Sequence, residues 1–146
     1  MPTGTLCLFD STLDGLLRGT VPALDTSVLT GLLLAPSYVP NPAAHSVFAD
    51  VSAHEFMPEN PFRKQLTGTH VTAQSFHSDD IIFGDPVTLG PVRYLAFVIA
   101  LSGVISPTTR LLGVADLSPA GGALEAQRGK FSVTAPPAGW FGLALV

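Results

Sequence analysis

The run Arg93-Tyr-Leu-Ala-Phe-Val-Ile-Ala-Leu101 decides the fold of this chain. After Arg93 it contains no charged residue, and it is rich in the aromatic and β-branched side chains that favour extended backbone. A strand that is apolar at every position, and not only at every second one, has both of its faces covered. We therefore predict that residues 93–101 contain a central strand of a β-sheet.

Six further segments have the length and residue types of strands, and turns rich in Gly or Pro separate them. They are residues 27–35, 70–73, 80–83, 111–117, 131–135 and 140–146. The 13 Pro and 14 Gly fall between these apolar runs and not in a low-complexity tract. Short strands at regular spacing with little helix predict one mainly β domain over residues 1–146, built as a β-sandwich or an open barrel.

One short N-terminal helix is predicted over residues 11–18, with Ser11 or Thr12 as its N-cap and Gly19 at its end. Three leucines at helical spacing would share the face that lies on apolar neighbours. They are Leu13, Leu16 and Leu17.

Three other segments are less regular. Residues 36–44 contain three Pro and predict an ordered loop. Residues 45–56 fit either a short helix or an irregular segment. Arg63 and Lys64 are predicted to lie in a solvated loop.

The scarcity of charge is the second informative feature. Only 18 of the 146 residues are charged, about half of the usual proportion. A domain this small has a high surface-to-volume ratio and cannot place all its apolar residues inside. Much of its surface is therefore expected to be uncharged and partly apolar, as on a protein that other subunits cover. This predicts a building block of a larger assembly, in contact with copies of itself or with other proteins.

The same composition argues against several partners. The net charge is −4 and the seven basic residues are scattered, whereas a nucleic-acid surface needs a clustered basic face. No basic segment precedes Asp10, so no signal peptide is expected. The uncharged stretch 94–109 is shorter than the roughly 20 residues of a membrane span. Cys7 is the only cysteine and is predicted to be a small buried side chain in a chain folded in a reducing cytoplasm.

The sequence contains little evidence of a catalytic or metal-binding site. His45, Asp50, His54 and Glu55 lie within eleven residues, but without the helical spacing of a zinc site, so structural roles are expected. Residues 77–80 lack the alternating carboxylates of a calcium loop and are interpreted as a turn capped by its own side chains. No nucleophile elbow or phosphate-binding loop occurs. We therefore predict no enzyme, no catalytic residue, no cofactor and no metal.

Aromatic side chains in the predicted loops are the candidate contact residues. One interpretation is that they fold back onto the core, and the other is that they anchor a neighbouring subunit. The residues predicted for a protein interface, with one loop proline, are Tyr38, Pro40, Phe48, Phe56, Phe62 and Phe76. Trp140 and Phe141 are expected in the core.

Residues 26–56 resemble a family of small β-rich structural proteins of tailed bacteriophages. The likeness lies in an apolar strand, a Tyr-x-Pro loop and a His-x-Phe-x-Asp-Val segment that ends in a glutamate. It continues through a later Asp-Asp strand, the central strand and a strand ending in Ala-Asp, so it covers nearly the whole chain. The matching segments are Leu29–Leu34, Ser37–Pro40, His45–Glu55, Asp79–Phe83, Arg93–Ile99, Leu112–Asp116 and, in the opening helix, Leu13–Leu17.

The resemblance implies a virion structural protein that is made in the host cytoplasm and has no catalytic residues. A capsid decoration (cement) protein bound to the major capsid protein is the first expectation, and a tail or head–tail component is the alternative. A second alternative is a carbohydrate-binding module that stacks sugars on Tyr38, Phe62 or Trp140.

Overall fold

The structure is a computed structural model that describes residues 6–57 and 62–142. Within these ranges the chain forms ten β-strands and one α-helix, which confirms the predicted mainly β class with one short N-terminal helix. The elements in chain order are β1 (Leu6–Leu8), α1 (Asp10–Arg18), β2 (Thr30–Leu34), β3 (Arg63–Gln65), β4 (His70–Thr72), β5 (Ser75–His77), β6 (Ile81–Val92), β7 (Tyr94–Val98), β8 (Leu111–Asp116), β9 (Leu124–Val133) and β10 (Phe141–Gly142).

A five-stranded antiparallel sheet with the order β1-β8-β7-β2-β3 forms the centre of the fold. β7 is its middle strand, and all five of its residues are buried. The central position predicted for residues 93–101 is therefore confirmed. All of β2 is buried as well, because both faces of this sheet are covered.

The two faces of the sheet carry separate apolar cores. Leu33 on β2 points into the larger one, and its neighbours Leu32 and Leu34 point into the smaller one. This alternation is the period of two that an extended strand imposes. Each fully buried Leu or Phe stabilises the fold by about 1.5–3 kcal/mol relative to an exposed one. The sheet is thus the layer between two apolar cores.

A second β-layer covers the larger core. It consists of the two-stranded ribbon β6–β9 and a three-stranded sheet with the order β10-β5-β4. Phe83 of the ribbon, Phe76 of β5 and the buried Trp140 all belong to this core. Trp140 packs edge-on against Phe97 of β7, with ring centroids 4.9 Å apart. Its expected core position is confirmed.

A helix-and-loop layer covers the smaller core. Phe9 just before α1, together with Tyr38, Phe48 and Val51 of the long connection after β2, packs there. The ambiguous residues 45–56 contain two short 3-10 turns, Phe48–Asp50 and Ser52–His54.

The helix differs from its prediction in two respects. It begins at Asp10 after Phe9, and no side chain caps its N-terminus. Its buried residues are Thr12 and Gly15, whereas Leu13 is exposed and Leu17 is 89 % exposed. The expected leucine face is therefore wrong for Leu13 and Leu17, because the helix lies on the sheet through its small residues, whereas Leu16 is partly buried against the larger core. The Thr12 hydroxyl donates to the Leu112 carbonyl oxygen at 2.8 Å, which holds α1 against β8.

Several strand boundaries also differ. β6 extends to Val92, well past the predicted residues 80–83, because repeated register shifts against β9 accommodate Gly84 and Pro86 within the ribbon. β1 and β3 are short edge strands that the sequence pattern did not indicate. Cys7 is exposed on β1, while its neighbour Leu6 is buried in the core, so its predicted burial is wrong. In the described residues, no helix has both the length and the apolar character needed to cross a membrane.

Candidate functional site

Three of the predicted contact aromatics are covered by their own chain. Tyr38 and Phe48 belong to the smaller core and Phe76 to the larger one. A side chain that is already buried in the monomer has no free surface to bury against a neighbour. The prediction that Tyr38 and Phe48 anchor another subunit is therefore wrong, because the loops that carry them fold back over the sheet. Phe76 lies on β5 and its small remaining surface lines a groove, so its contact role stays a prediction.

Tyr38 fixes the position of the long loop. Its hydroxyl lies 2.7 Å from His45 Nδ1, and its ring packs edge-on against Tyr94 of β7. Burial, with a smaller contribution from the negative charge of Asp50, raises the pKa of Tyr38 to about 12. The phenol is thus neutral at any physiological pH and acts as a hydrogen-bonding partner of the loop.

The remaining predicted contact residues are partly accessible. Phe56 and Phe62 are half-buried, pack edge-on with ring centroids 5.3 Å apart, and lie against the larger core. Pro40 is exposed and follows Val39, which is 74 % exposed. The proposed sugar platform loses two of its three rings, because Tyr38 and Trp140 are fully buried.

Glu55 and Arg63 form an ion pair that the sequence did not indicate. Arg63 Nε lies 2.7 Å from Glu55 Oε1, and Arg63 Nη2 lies 2.9 Å from Oε2. The side chains are 1 % exposed for Glu55 and 13 % exposed for Arg63. Arg63 also lies over the Phe48 ring, 5.4 Å from its centroid. The prediction of a solvated loop at Arg63 is wrong, because its charge is paired against the end of the long loop.

The histidine-rich segment has structural partners rather than a shared centre. His45 contacts the Tyr38 hydroxyl, and His54 Nδ1 lies 2.9 Å from the Ser37 hydroxyl. Asp50 accepts hydrogen bonds from the backbone N–H groups of residues 46 and 47, and these bonds lower its pKa. In the described ranges, no three His, Cys, Asp or Glu side chains lie close enough to hold a metal ion.

The turn at residues 77–80 is also occupied by local bonds. Ser78 Oγ accepts a hydrogen bond from Trp140 Nε1 at 2.8 Å, and Asp79 Oδ2 accepts one from the Thr67 hydroxyl at 3.2 Å. Asp80 Oδ1 accepts a bond from the backbone N–H of Ala135. These side chains therefore connect the second β-layer to its neighbours.

The first surface feature with functional potential is an apolar groove. It has a volume of about 220 Å³ and lies between the segment that follows α1 and the three-stranded sheet. Its described lining residues include no charged side chain. The apolar side chains that line it are Leu16, Val21, Leu24, Val71, Phe76 and Phe141.

The groove reaches the edge of a sheet. Val71 is 55 % exposed and lies on β4, which is the last strand of the order β10-β5-β4. An edge strand presents unpaired backbone N–H and C=O groups that can pair with another extended chain. The groove and this edge together form a surface suited to an extended, uncharged segment, and we call them the apolar groove.

The second feature is a polar pocket on another side of α1. It has a volume of about 430 Å³. Its polar lining combines two guanidinium groups, one carboxylate and several hydroxyls. Its polar lining residues include Ser11, Asp14, Arg18, Ser46, Thr108 and Arg110, and we call this cavity the polar pocket. None of them is indicated as a site by the sequence, because they come from three distant segments.

Comparison with known proteins leaves the phage resemblance as an expectation. No protein-family model matches the chain, and no curated protein or solved structure matches it either.

Proposed function

We propose that this chain is a structural protein of a bacteriophage particle, specifically a decoration protein that binds the outside of the capsid. Its role is non-catalytic: it ties neighbouring capsid subunits together through protein contacts. The observation that carries the proposal is the uncharged apolar groove at a sheet edge, on a chain with only 18 charged residues.

Exposed apolar side chains on a compact chain with few charges support a surface that other proteins cover. The accessible surface is 7467 Å², close to the roughly 7,100 Å² expected for a compact monomer of this mass. The chain is thus compact, yet several large apolar side chains remain exposed on it. They are Leu13, Leu17, Val28, Val39, Met57, Val71, Ile82, Leu101 and Val104.

The proposed occupant of the apolar groove is an extended, uncharged segment of the major capsid protein. Such a segment would add a strand to the free edge of β4 and place alternate side chains in the groove. Apolar area buried in this way contributes about 25 cal/mol per Å², less the cost of ordering the segment. A charged segment is disfavoured because the groove offers its charges no partner.

The number of copies in purified particles tests this function. After the particles are washed, the chain should be present in a copy number comparable to that of the major capsid protein. A few copies per particle would overturn capsid decoration and favour the tail or head–tail alternative. Absence from washed particles would contradict a structural role altogether.

A further inference from the structure

The polar pocket holds an unusual share of the few charges in this chain. Arg18 and Asp14 lie on α1 and Arg110 precedes β8, and all three line one cavity. The ion pairs among the described residues are Arg63–Glu55 and Arg93–Asp116, so neither pocket arginine forms one, although Asp14 lines the same cavity. Two unpaired guanidinium groups in one cavity are a suitable environment for an anion.

A hydroxyl beside these arginines is also left unused. Ser11 lines the pocket, and its Oγ is buried without a hydrogen-bond partner. A buried polar group without a partner is uncommon in a folded protein and calls for a physical explanation. After a rotation of the Ser11 side chain toward the cavity, this hydroxyl could donate to an anion there, which would supply the missing acceptor.

The walls of the pocket are held by backbone bonds. On one side, residues 46–48 run beside residues 109–111: Val47 pairs with Arg110, and the Phe48 N–H donates to the Thr109 carbonyl oxygen at 2.8 Å. On the other side, α1 is attached to β8 through Thr12. The pocket is therefore organised before any ligand arrives, which reduces the entropic cost of binding.

Gly15 explains how Arg110 comes so close to the helix. A Cβ on Gly15 would lie 2.5 Å from Val21 Cγ2, 2.8 Å from Arg110 Nη1 and 3.1 Å from the Thr20 hydroxyl. A larger residue would therefore clash with Val21 and would also displace the guanidinium from the helix. Gly within a helix lowers stability relative to Ala, so its presence here has a packing reason.

We propose that the polar pocket binds an oxyanion, a carboxylate or a phosphate group, between Arg110 and Arg18 with the Ser11 hydroxyl as a further donor. Arg110 forms the inner end of the site, because its guanidinium rests against the helix at Gly15. Asp14 opposes the anion and sets a modest affinity, unless the ligand also carries a hydrogen-bond donor for this carboxylate. The inference does not depend on the proposed virion function.

Titration of the full-length chain with sodium phosphate and with sodium acetate tests the site. The readout is the backbone amide signals of Gly15, Ser46 and Thr108 in ¹H–¹⁵N spectra, at an ionic strength held constant with chloride. We expect saturable shifts for at least one of the two anions. Tighter binding of acetate would indicate the acidic side chain of a neighbouring protein as the source, and tighter binding of phosphate would indicate a phosphate group.

Variants distinguish the site from general charge effects. Arg110→Gln should weaken binding at least tenfold, and Arg18→Gln at least threefold, whereas Asp14→Asn should tighten it several-fold because it removes a like charge. Lys130→Gln removes one positive charge at an exposed position on β9 and should leave binding unchanged. Binding to both arginine variants that is as tight as binding to the parent chain would overturn the proposal. Shifts with chloride alone that equal those with phosphate or acetate would also overturn it.

Discussion

Helix α1 borders two cavities of opposite character. The polar pocket on one side collects Asp14, Arg18 and Arg110, whereas the apolar groove on the other begins at Leu16 and has no charged residue in its described lining. Three of the few charged residues of this chain therefore line one cavity, whereas the described lining of the other cavity contains none. The comparison indicates two separate recognition modes, one for an anion and one for an uncharged protein segment.

The largest expected effect comes from the buried Glu55–Arg63 ion pair, whose guanidinium also lies over the ring of Phe48, next to the pocket residues Ser46 and Val47. Glu55→Ala removes the carboxylate that pairs with Arg63, and removing one member of a buried pair costs up to about 3–5 kcal/mol of stability. We expect this loss in the free energy of unfolding measured in urea. Asp116→Ala, which breaks the more exposed pair with Arg93, should cost about 1 kcal/mol or less.

The same variant separates the two cavities. Glu55 ends the loop that carries Ser46 and Val47, so its loss should also weaken anion binding while the apolar groove keeps its capsid affinity. Equal damage to both cavities would show that they are not independent.

A charge in the groove should remove its function without unfolding the chain. Val71→Asp places a carboxylate at an exposed position of the groove lining, where a bound uncharged segment would desolvate it. We expect at least tenfold lower occupancy when the purified variant is added to capsids that lack this protein. Gln127→Glu places a carboxylate at an exposed position on β9 outside the groove lining and should bind like the parent chain. Equal binding by both variants would contradict the role of the groove.

Acid should loosen the pocket wall before it affects the groove. The hydrogen bonds from Val47 and Ser46 lower the pKa of Asp50, so its stabilising contribution is present above the unfolded-state pKa of about 3.9 and is lost as pH falls through the lower folded-state value. Asp50→Ala should therefore cost about 0.5–2 kcal/mol near pH 6. This difference from the parent should shrink as the pH falls below about 3.9 in urea unfolding, and a constant difference would contradict the assignment.

The smallest effect concerns the hairpin that borders the groove. Ala73 and Gln74 connect β4 and β5 with φ values of 49° and 66°, a conformation that favours glycine. Gln74→Gly should raise the free energy of unfolding by about 0.4–1 kcal/mol. Gln127→Gly on β9 should instead lower stability, because the positive φ of this strand is at the neighbouring Arg128 and not at Gln127. A loss in both variants would show that the turn is not strained.

The sequence was most informative where periodicity reports burial directly. The unbroken apolar run around Tyr94–Val98 has both faces covered, and this is what placed β7 at the centre of the sheet. Trp140 was assigned correctly to the core for a related reason, since it lies in an apolar terminal run.

Other features depend on contacts between distant segments. Tyr38 and Phe48 have the polar, Pro-rich surroundings of a surface loop, and only the long connection folding across the sheet buries them. The polar pocket joins a helix face to residues nearly one hundred positions away, so no local pattern could reveal it. The Glu55–Arg63 pair likewise depends on two long-range contacts, because β3 lies beside β2 and Glu55 bridges to Leu34 at the end of β2.

An image reconstruction of the intact particle tests the central claim most directly. We predict density for this chain on the outside of the capsid, with the apolar groove and the free edge of β4 covered by an extended segment of the major capsid protein. A reconstruction in which the chain is bound to the capsid but this groove faces solvent, or in which the capsid carries no density for the chain, would contradict the account.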